Sequence, residues 1–314
     1  MPDPTTQKHY VAPVETESIA VDAVRISEKP SNLWRDAWSD LRRRPLFWFS
    51  VVLGLVFLLM AVWPTLFTAT APDSCDLANS NGGPAAGHPL GFTFQGCDIY
   101  SRVVHGTQAS LSVGVLSVLC VLIIGVTLGA LAGYYGGWVD AVLARLGDIF
   151  FALPLVLGAL VITQLPALRE NKSVWTVVLV ISLLAWPQMA RITRGAVIEV
   201  RNADFVTAAR ALGVSKFAAL VRHVLPNALA PIIVLATLNL GIFIVAEATL
   251  SFLGIGLPPS IMSWGNDIAG AQSSIRTKPE ILLYPAAALS ITVLSFIMLG
   301  DAVRDALDPK SRQR

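Results

Sequence analysis

Six apolar stretches divide this chain, each long enough or nearly long enough to cross a lipid bilayer as a helix. They run over Leu46–Phe67, Ser110–Tyr134, Val142–Leu165, Val174–Met189, Asn227–Leu253 and Ile281–Val303. An α-helix rises 1.5 Å per residue, so roughly 20 apolar residues cover about 30 Å of hydrocarbon. Lipid offers no hydrogen-bond partner to the backbone, so spans of this length have to be helical. The pattern predicts an all-α integral membrane protein with six transmembrane helices. The third stretch is the least pure, with Arg145 and Asp148 near its start as an expected local ion pair, and the short fourth is expected to continue as helix beyond the bilayer. Composition agrees: 54% of the 314 residues are hydrophobic and 14% charged, against about 25% charged in soluble domains.

The formal charge of +2 is too small to suggest a nucleic-acid partner, but the distribution of basic residues is informative. With the N-terminus placed in the cytoplasm, 18 of the 23 Lys and Arg residues fall on the cytoplasmic side. Only Arg102, Arg169, Lys172, Arg276 and Lys278 fall outside. The positive-inside rule therefore predicts both termini to be cytoplasmic. Residues 1–30 carry no apolar run, which argues against a cleavable signal peptide, and their polar, Pro-spiked composition predicts disorder. Residues 31–45 read as an interfacial amphipathic helix capped by Ser31, with Leu33, Trp34, Ala37, Trp38 and Leu41 on one face. The transmembrane domain follows over 46–309, with a short tail at 310–314. Within it lie a long outer loop, 68–109, and a cytoplasmic loop, 190–226.

The outer loop holds Cys75 and Cys97, whose placement on the oxidising side predicts a disulfide; Cys120 reads as a buried packing residue in a span. Gly125, Gly129 and Gly133 recur every fourth residue in the second stretch and predict close approach of another helix backbone. Glu247 lies in the fifth stretch, where a carboxylate must face protein or water, either in buried pairing or along a transport route. No phosphate-cradling G-x-x-x-x-G-K-[ST] motif occurs, and His9, His88, His105 and His223 are scattered without metal-ligand spacing. The chain is not expected to be an enzyme or to bind a metal.

The cytoplasmic loop is the most informative segment. Asp204 is placed to cap a short helix running through Leu212, and Gly213 suits the left-handed residue that ends it. Ser215 can start a second helix with Phe217, Leu220, Val221 and Val224 on one face, before Pro226 turns the chain into the fifth span. A short helix of small residues held beside the membrane has the shape of a docking element.

This segment resembles the EAA loop of importer-type ABC permeases: Glu-Ala-Ala, three residues, Gly, nine residues, a hydrophobic residue, any residue, then Leu-Pro. Ala208, Ala209, Gly213, Leu225 and Pro226 stand at the matching spacing, His223 fills the hydrophobic position, and Thr207 stands where the family usually has Glu. The runs Asp98–Gly106 and Glu247–Gly256 look like the dipeptide and oligopeptide branch. The resemblance implies a type I ABC importer permease fold in a bacterial plasma membrane. It implies a permease subunit that takes up di- and oligopeptides delivered by an extracytoplasmic substrate-binding protein. The implied partners are a second homologous permease, forming a heterodimer, and two cytoplasmic ATPase subunits. ATP and Mg would be bound by those subunits, with no cofactor on this chain. Coupling to an ATPase subunit is expected at Asp204, Thr207, Ala208, Ala209, Arg210, Gly213, Leu225 and Pro226. Two alternatives are a permease of the same branch for nickel or another small solute, and an ion-coupled secondary transporter using Glu247. The latter folds usually contain interrupted helices, and the apolar stretches show no convincing interruption.

Overall fold

The computed structural model describes residues 33–307, which form helices joined by turns and one long loop. The expectations for residues 1–30, for Ser31 and for 310–314 lie outside the described residues. In chain order the helices are α1 (Leu33–Leu41), α2 (Pro45–Val62), α3 (Ile99–Tyr135), α4 (Gly137–Phe151), α5 (Leu155–Thr163) and α6 (Pro166–Arg169). They continue as α7 (Val174–Arg201), α8 (Asp204–Ala211), α9 (Lys216–Ala219), α10 (Leu225–Asn227), α11 (Leu229–Phe252), α12 (Trp264–Gly270) and α13 (Glu280–Leu307). Among the described residues α2, α3, α7, α11 and α13 are long and apolar enough to cross a membrane, and α4 with α5 makes a sixth span if the bent pair counts as one.

That bend corrects the sequence reading. The third apolar stretch is not one helix: α4 and α5 meet at 88° across Ala152–Leu153–Pro154. Pro154 lacks the N–H that would continue the ladder and disfavours helical geometry in the residue before it. The chain therefore does contain an interrupted helix, and its supposed absence no longer argues against a secondary transporter. A second correction concerns α3, which begins at Ile99 rather than Ser110. Asp98 caps it by accepting from the Tyr100 N–H at 3.2 Å.

The core is built on α3 and α7. A Cβ added at Gly125 would lie 2.6 Å from Met189 Cβ, and one at Gly133 would lie 2.8 Å from the Arg194 carbonyl oxygen. Gly129 faces Ala190 and Thr193 with no more room. The four-residue glycine spacing thus brings two backbones into contact, where dispersion rather than water exclusion holds membrane helices together. Val113, Val121, Val177, Ile181 and Met189 fill the seam, joined by Ile232, Phe243 and Leu250 of α11. Around it α2 packs through Phe57 and Ala61 on Leu111, Ile244 and Trp264, leaving Trp48, Phe49, Val52 and Leu55 outward.

Helix α1 differs from the reading of its face. Ala37 and Leu41 are buried with Phe47, Ala302, Ala306 and Leu307, so the helix packs on the end of α13. Trp38 stays exposed. Arg44 ties the corner by pairing with Asp40 and Asp305, both at 2.8 Å.

Candidate functional site

The cytoplasmic-loop segment predicted from sequence sits at the end of the bundle where α7 runs out at Arg201. The cap of α8 is not Asp204 but Ala203, which is extended at φ −66, ψ 149 and makes no side-chain cap bond. Asp204 is the first helical residue instead, where a carboxylate favours the positive end of the helix. The register shift puts Val206, not Thr207, at the third helical position, so a Glu at 207 could not close a capping box. Val206 is fully buried and anchors α8 to Ala130, Val197, Leu220 and Val224.

The far end of α8 matches expectation. Gly213 is left-handed at φ +91; its N–H bonds to the Arg210 carbonyl at 3.0 Å, and the Val214 N–H bonds to that of Ala209 at 3.2 Å. These two bonds make a Schellman closure. Ser215 caps α9 by accepting from the Ala218 N–H at 3.3 Å. Leu220–Val224 then form a π-turn, closed by the Leu225 N–H on the Leu220 carbonyl. Pro226 accounts for it, since its ring lacks a donor and would clash with the Arg222 carbonyl in a regular helix. The turn also corrects the expected face: Leu220 and Val224 are buried, whereas Phe217 and Val221 are not.

Asp204, Thr207, Ala208, Arg210, Gly213 and Pro226 are exposed around this platform, with Ala209 and Leu225 half-buried. Apolar side chains join them at the surface. Leu212 is 87% exposed, Phe217 64% and Phe205 48%. Large apolar side chains left exposed at a short, well-closed helix make this segment the candidate interaction surface. Phe205 and Leu212 were not singled out from the sequence, although large apolar residues on the side of a short helix away from its anchor Val206 were the available signal.

Glu247 lies at the opposite end, close to the C-terminus of α11, and is 0% exposed. It accepts from Ser110 Oγ of α3 at 2.9 Å and from Ser251 Oγ at 2.8 Å. Ser110 Oγ in turn accepts from the Trp264 N–H at 3.2 Å, and Ser251 Oγ from the Leu257 N–H at 3.0 Å. No Lys or Arg lies within ion-pair distance of it among the described residues, so its partners are hydroxyls that stitch α3, α11 and α12 together. Nearby Arg102 of α3 pairs with the buried Asp267 of α12. Burial pushes the Asp267 carboxyl above the usual range, and Arg102 opposes that shift. The same end carries the long loop, where Cys75 and Cys97 are joined in the expected disulfide. Cys120 is half-buried in α3.

A family model described as binding-protein-dependent transport system inner membrane component matches residues 125–313, including all of the α8 platform. The chain belongs to this family of inner membrane transport components. A second model, the N-terminal transmembrane domain of oligopeptide transport permease C, matches residues 32–84 of this permease. Among relatives, the dipeptide transport system permease protein DppC of Alkalihalophilus pseudofirmus is 36% identical, over 89% of this chain and 90% of its own length. The oligopeptide transport system permease protein OppC of Bacillus subtilis is 34% identical over 94% and 95%. The glutathione transport system permease protein GsiD of Pectobacterium atrosepticum is 35% identical over 88% and 91%. In fold, this permease is similar to a chain of the inward-facing MetNI methionine ABC transporter at a TM-score of 0.54 and 20% identity, covering 66% of this chain and 96% of that one. The type I importer permease fold expected from the resemblance is thus the fold observed.

Proposed function

We propose that this permease is one of two homologous membrane subunits of an ATP-driven importer of di- and oligopeptides, and that its α8 platform docks a cytoplasmic ATPase subunit. The observation that carries the coupling role is the exposure of Phe205 and Leu212 on a helix anchored by Val206 and closed at Gly213, with Phe217 of α9 exposed beside it in sequence. The relatives named for dipeptides, oligopeptides and glutathione support the substrate class. The basic-residue distribution supports placing the α8 end and both termini in the cytoplasm. In that orientation the disulfide loop and α12 face the binding protein that delivers the peptide.

The mechanism is alternating access. ATP and Mg bind in the ATPase subunits, whose closure displaces α8, and the spans transmit that displacement to the far side. This chain supplies half of the route and one docking helix, and hydrolyses nothing itself. Leu212→Ser with Phe205→Ser tests the reading. Leu212 is almost fully exposed and Phe205 half so, so the protein should express and melt close to the parent. Co-purification of the ATPase and peptide uptake in proteoliposomes should both fall sharply. A double variant that retains full ATPase docking and uptake would remove α8 as the coupling element. Mass spectrometry of ligand held by the co-purified binding protein tests the substrate class, and nickel or another small solute there would displace the peptide reading.

A further inference from the structure

Two arginines of α7 meet two aspartates of α4 in contrasting ways. Arg194 closes on Asp140 with two prongs, Nε to Oδ1 at 2.5 Å and Nη2 to Oδ2 at 2.7 Å. Arg191 does not close on Asp148: Nη2 stands 3.6 Å from Oδ1, and Arg145 approaches the other oxygen only to 3.7 Å. Charge-assisted hydrogen bonds run at about 2.7–2.9 Å, so the N–H donors of Arg191 are not used up by its aspartate. The guanidinium is held through its plane instead, with Cζ 4.1 Å from the Phe151 ring centroid. The side chain is 63% exposed. Two guanidiniums around one carboxylate leave the group net positive.

Its position adds an independent observation. Phe151 is the last residue of α4, immediately before the break at Ala152–Leu153–Pro154, and all three break residues are exposed. Backbone that leaves helical bonding within a membrane span is tolerated where protein buries it or where it lines water. This chain does not bury it. A break that this chain leaves exposed, beside an oriented guanidinium whose donors are not spent on its aspartate, offers an anion both access and hydrogen bonds.

We infer that Arg191, stacked on Phe151 at the α4–α5 break, binds the terminal carboxylate of the transported peptide. The inference rests on the peptide-import reading and gives that substrate a contact within this chain. A planar guanidinium matches a carboxylate with two parallel hydrogen bonds, and the stack fixes its plane in advance.

The test measures binding of dialanine and of its C-terminal amide to the assembled permease–ATPase complex, purified without its binding protein. Wild type should bind the free dipeptide about tenfold more tightly than the amide, the worth of one charge-assisted pair. Arg191→Gln should remove that difference by weakening only the free dipeptide, and Arg191→Lys should keep part of it. Phe151→Leu should reduce free-dipeptide binding about threefold through loss of the stack, and it serves if Arg191→Gln does not assemble. Equal binding of the two ligands to wild type, or a preference that survives in Arg191→Gln, overturns the inference. So does a wild-type complex that binds no dialanine, or one that binds short-chain phosphatidylglycerol through Arg191 in its place. Dialanine uptake by the full system with its binding protein tests the peptide-import reading separately.

Discussion

The two ends of the bundle are finished to different degrees. At the Glu247 end, side-chain pairings hold the chain together: Glu247 with Ser110 and Ser251, Arg102 with Asp267, Cys75 with Cys97. Trp264, the first residue of α12, is fully buried there, although Trp63, Leu66, Leu77 and Phe94 at the same end are exposed. At the α8 end a single residue, Val206, anchors the helix, while Leu212, Phe217 and Phe205 are left at the surface. One end is tied together by side-chain pairs within the chain, and the other, on the function proposed above, is half of an interface. Damage at the first should therefore register as lost stability, and damage at the second as lost coupling in a protein that still folds.

The largest effect is expected at the staple. Replacing Cys75 and Cys97 by Ser frees a loop of 22-residue separation, for which the loop-entropy model gives about 3 kcal/mol. Limited proteolysis should then cut between residues 76 and 96 much faster than in the parent, and unchanged cleavage would mean that packing alone holds the loop. Next comes Glu247→Ala, which strands two buried serine hydroxyls and leaves a cavity. Loss of hydrogen bonds to a charged or strongly polar group costs about 2–3 kcal/mol, visible as a lower melting temperature in detergent, whereas Glu247→Gln should recover most of it. Equal melting of Glu247→Ala and parent would show that the Glu247 end does not depend on this network.

The smallest stability effect belongs to Gly213→Val. No atom lies within 4 Å of an added Cβ there, so its cost is backbone strain of about 1–2 kcal/mol, confined to the end of α8. Uptake and ATPase co-purification should nonetheless be lost, while the spans remain folded. A Gly213→Val complex that transports normally would collapse the distinction between the two ends.

Much of this architecture was legible from sequence because hydropathy sums over many residues. The spans and the glycine seam depend on no single dihedral. The missed features turn on individual backbone groups. Pro154 breaks a span, yet Pro187 and Pro285 sit inside continuous helices, so an apolar run containing proline does not reveal which way it will go. The first turns of α3 read as loop because Ser101, Arg102 and Thr107 are polar. Their partners, the Thr70 carbonyl and Asp267 among them, come from distant sequence. In the α8 platform the left-handed glycine was recognisable, because no other residue suits that conformation as well. The cap at Ala203 was not, since Asp204 beside it is the better capping residue by type. The π-turn that turns Phe217 and Val221 outward follows from Pro226 only once the carbonyl it would strike is known.

Helix α3 has a mechanical consequence. Its 37 residues run without a break from the disulfide loop to the α8 end, a rod of about 55 Å at 1.5 Å per residue. Glycines on one flank seat it against α7, and Arg201 clasps its end by donating to the Gly133 carbonyl at 2.6 Å. Such a rod has no hinge in which to absorb motion. A tilt of about 5° started at one end carries the other sideways by about 5 Å over this length, close to one helical turn. The membrane is thus bridged by a lever whose stiffness is set by an unbroken hydrogen-bond ladder, and whose throw is fixed by its length.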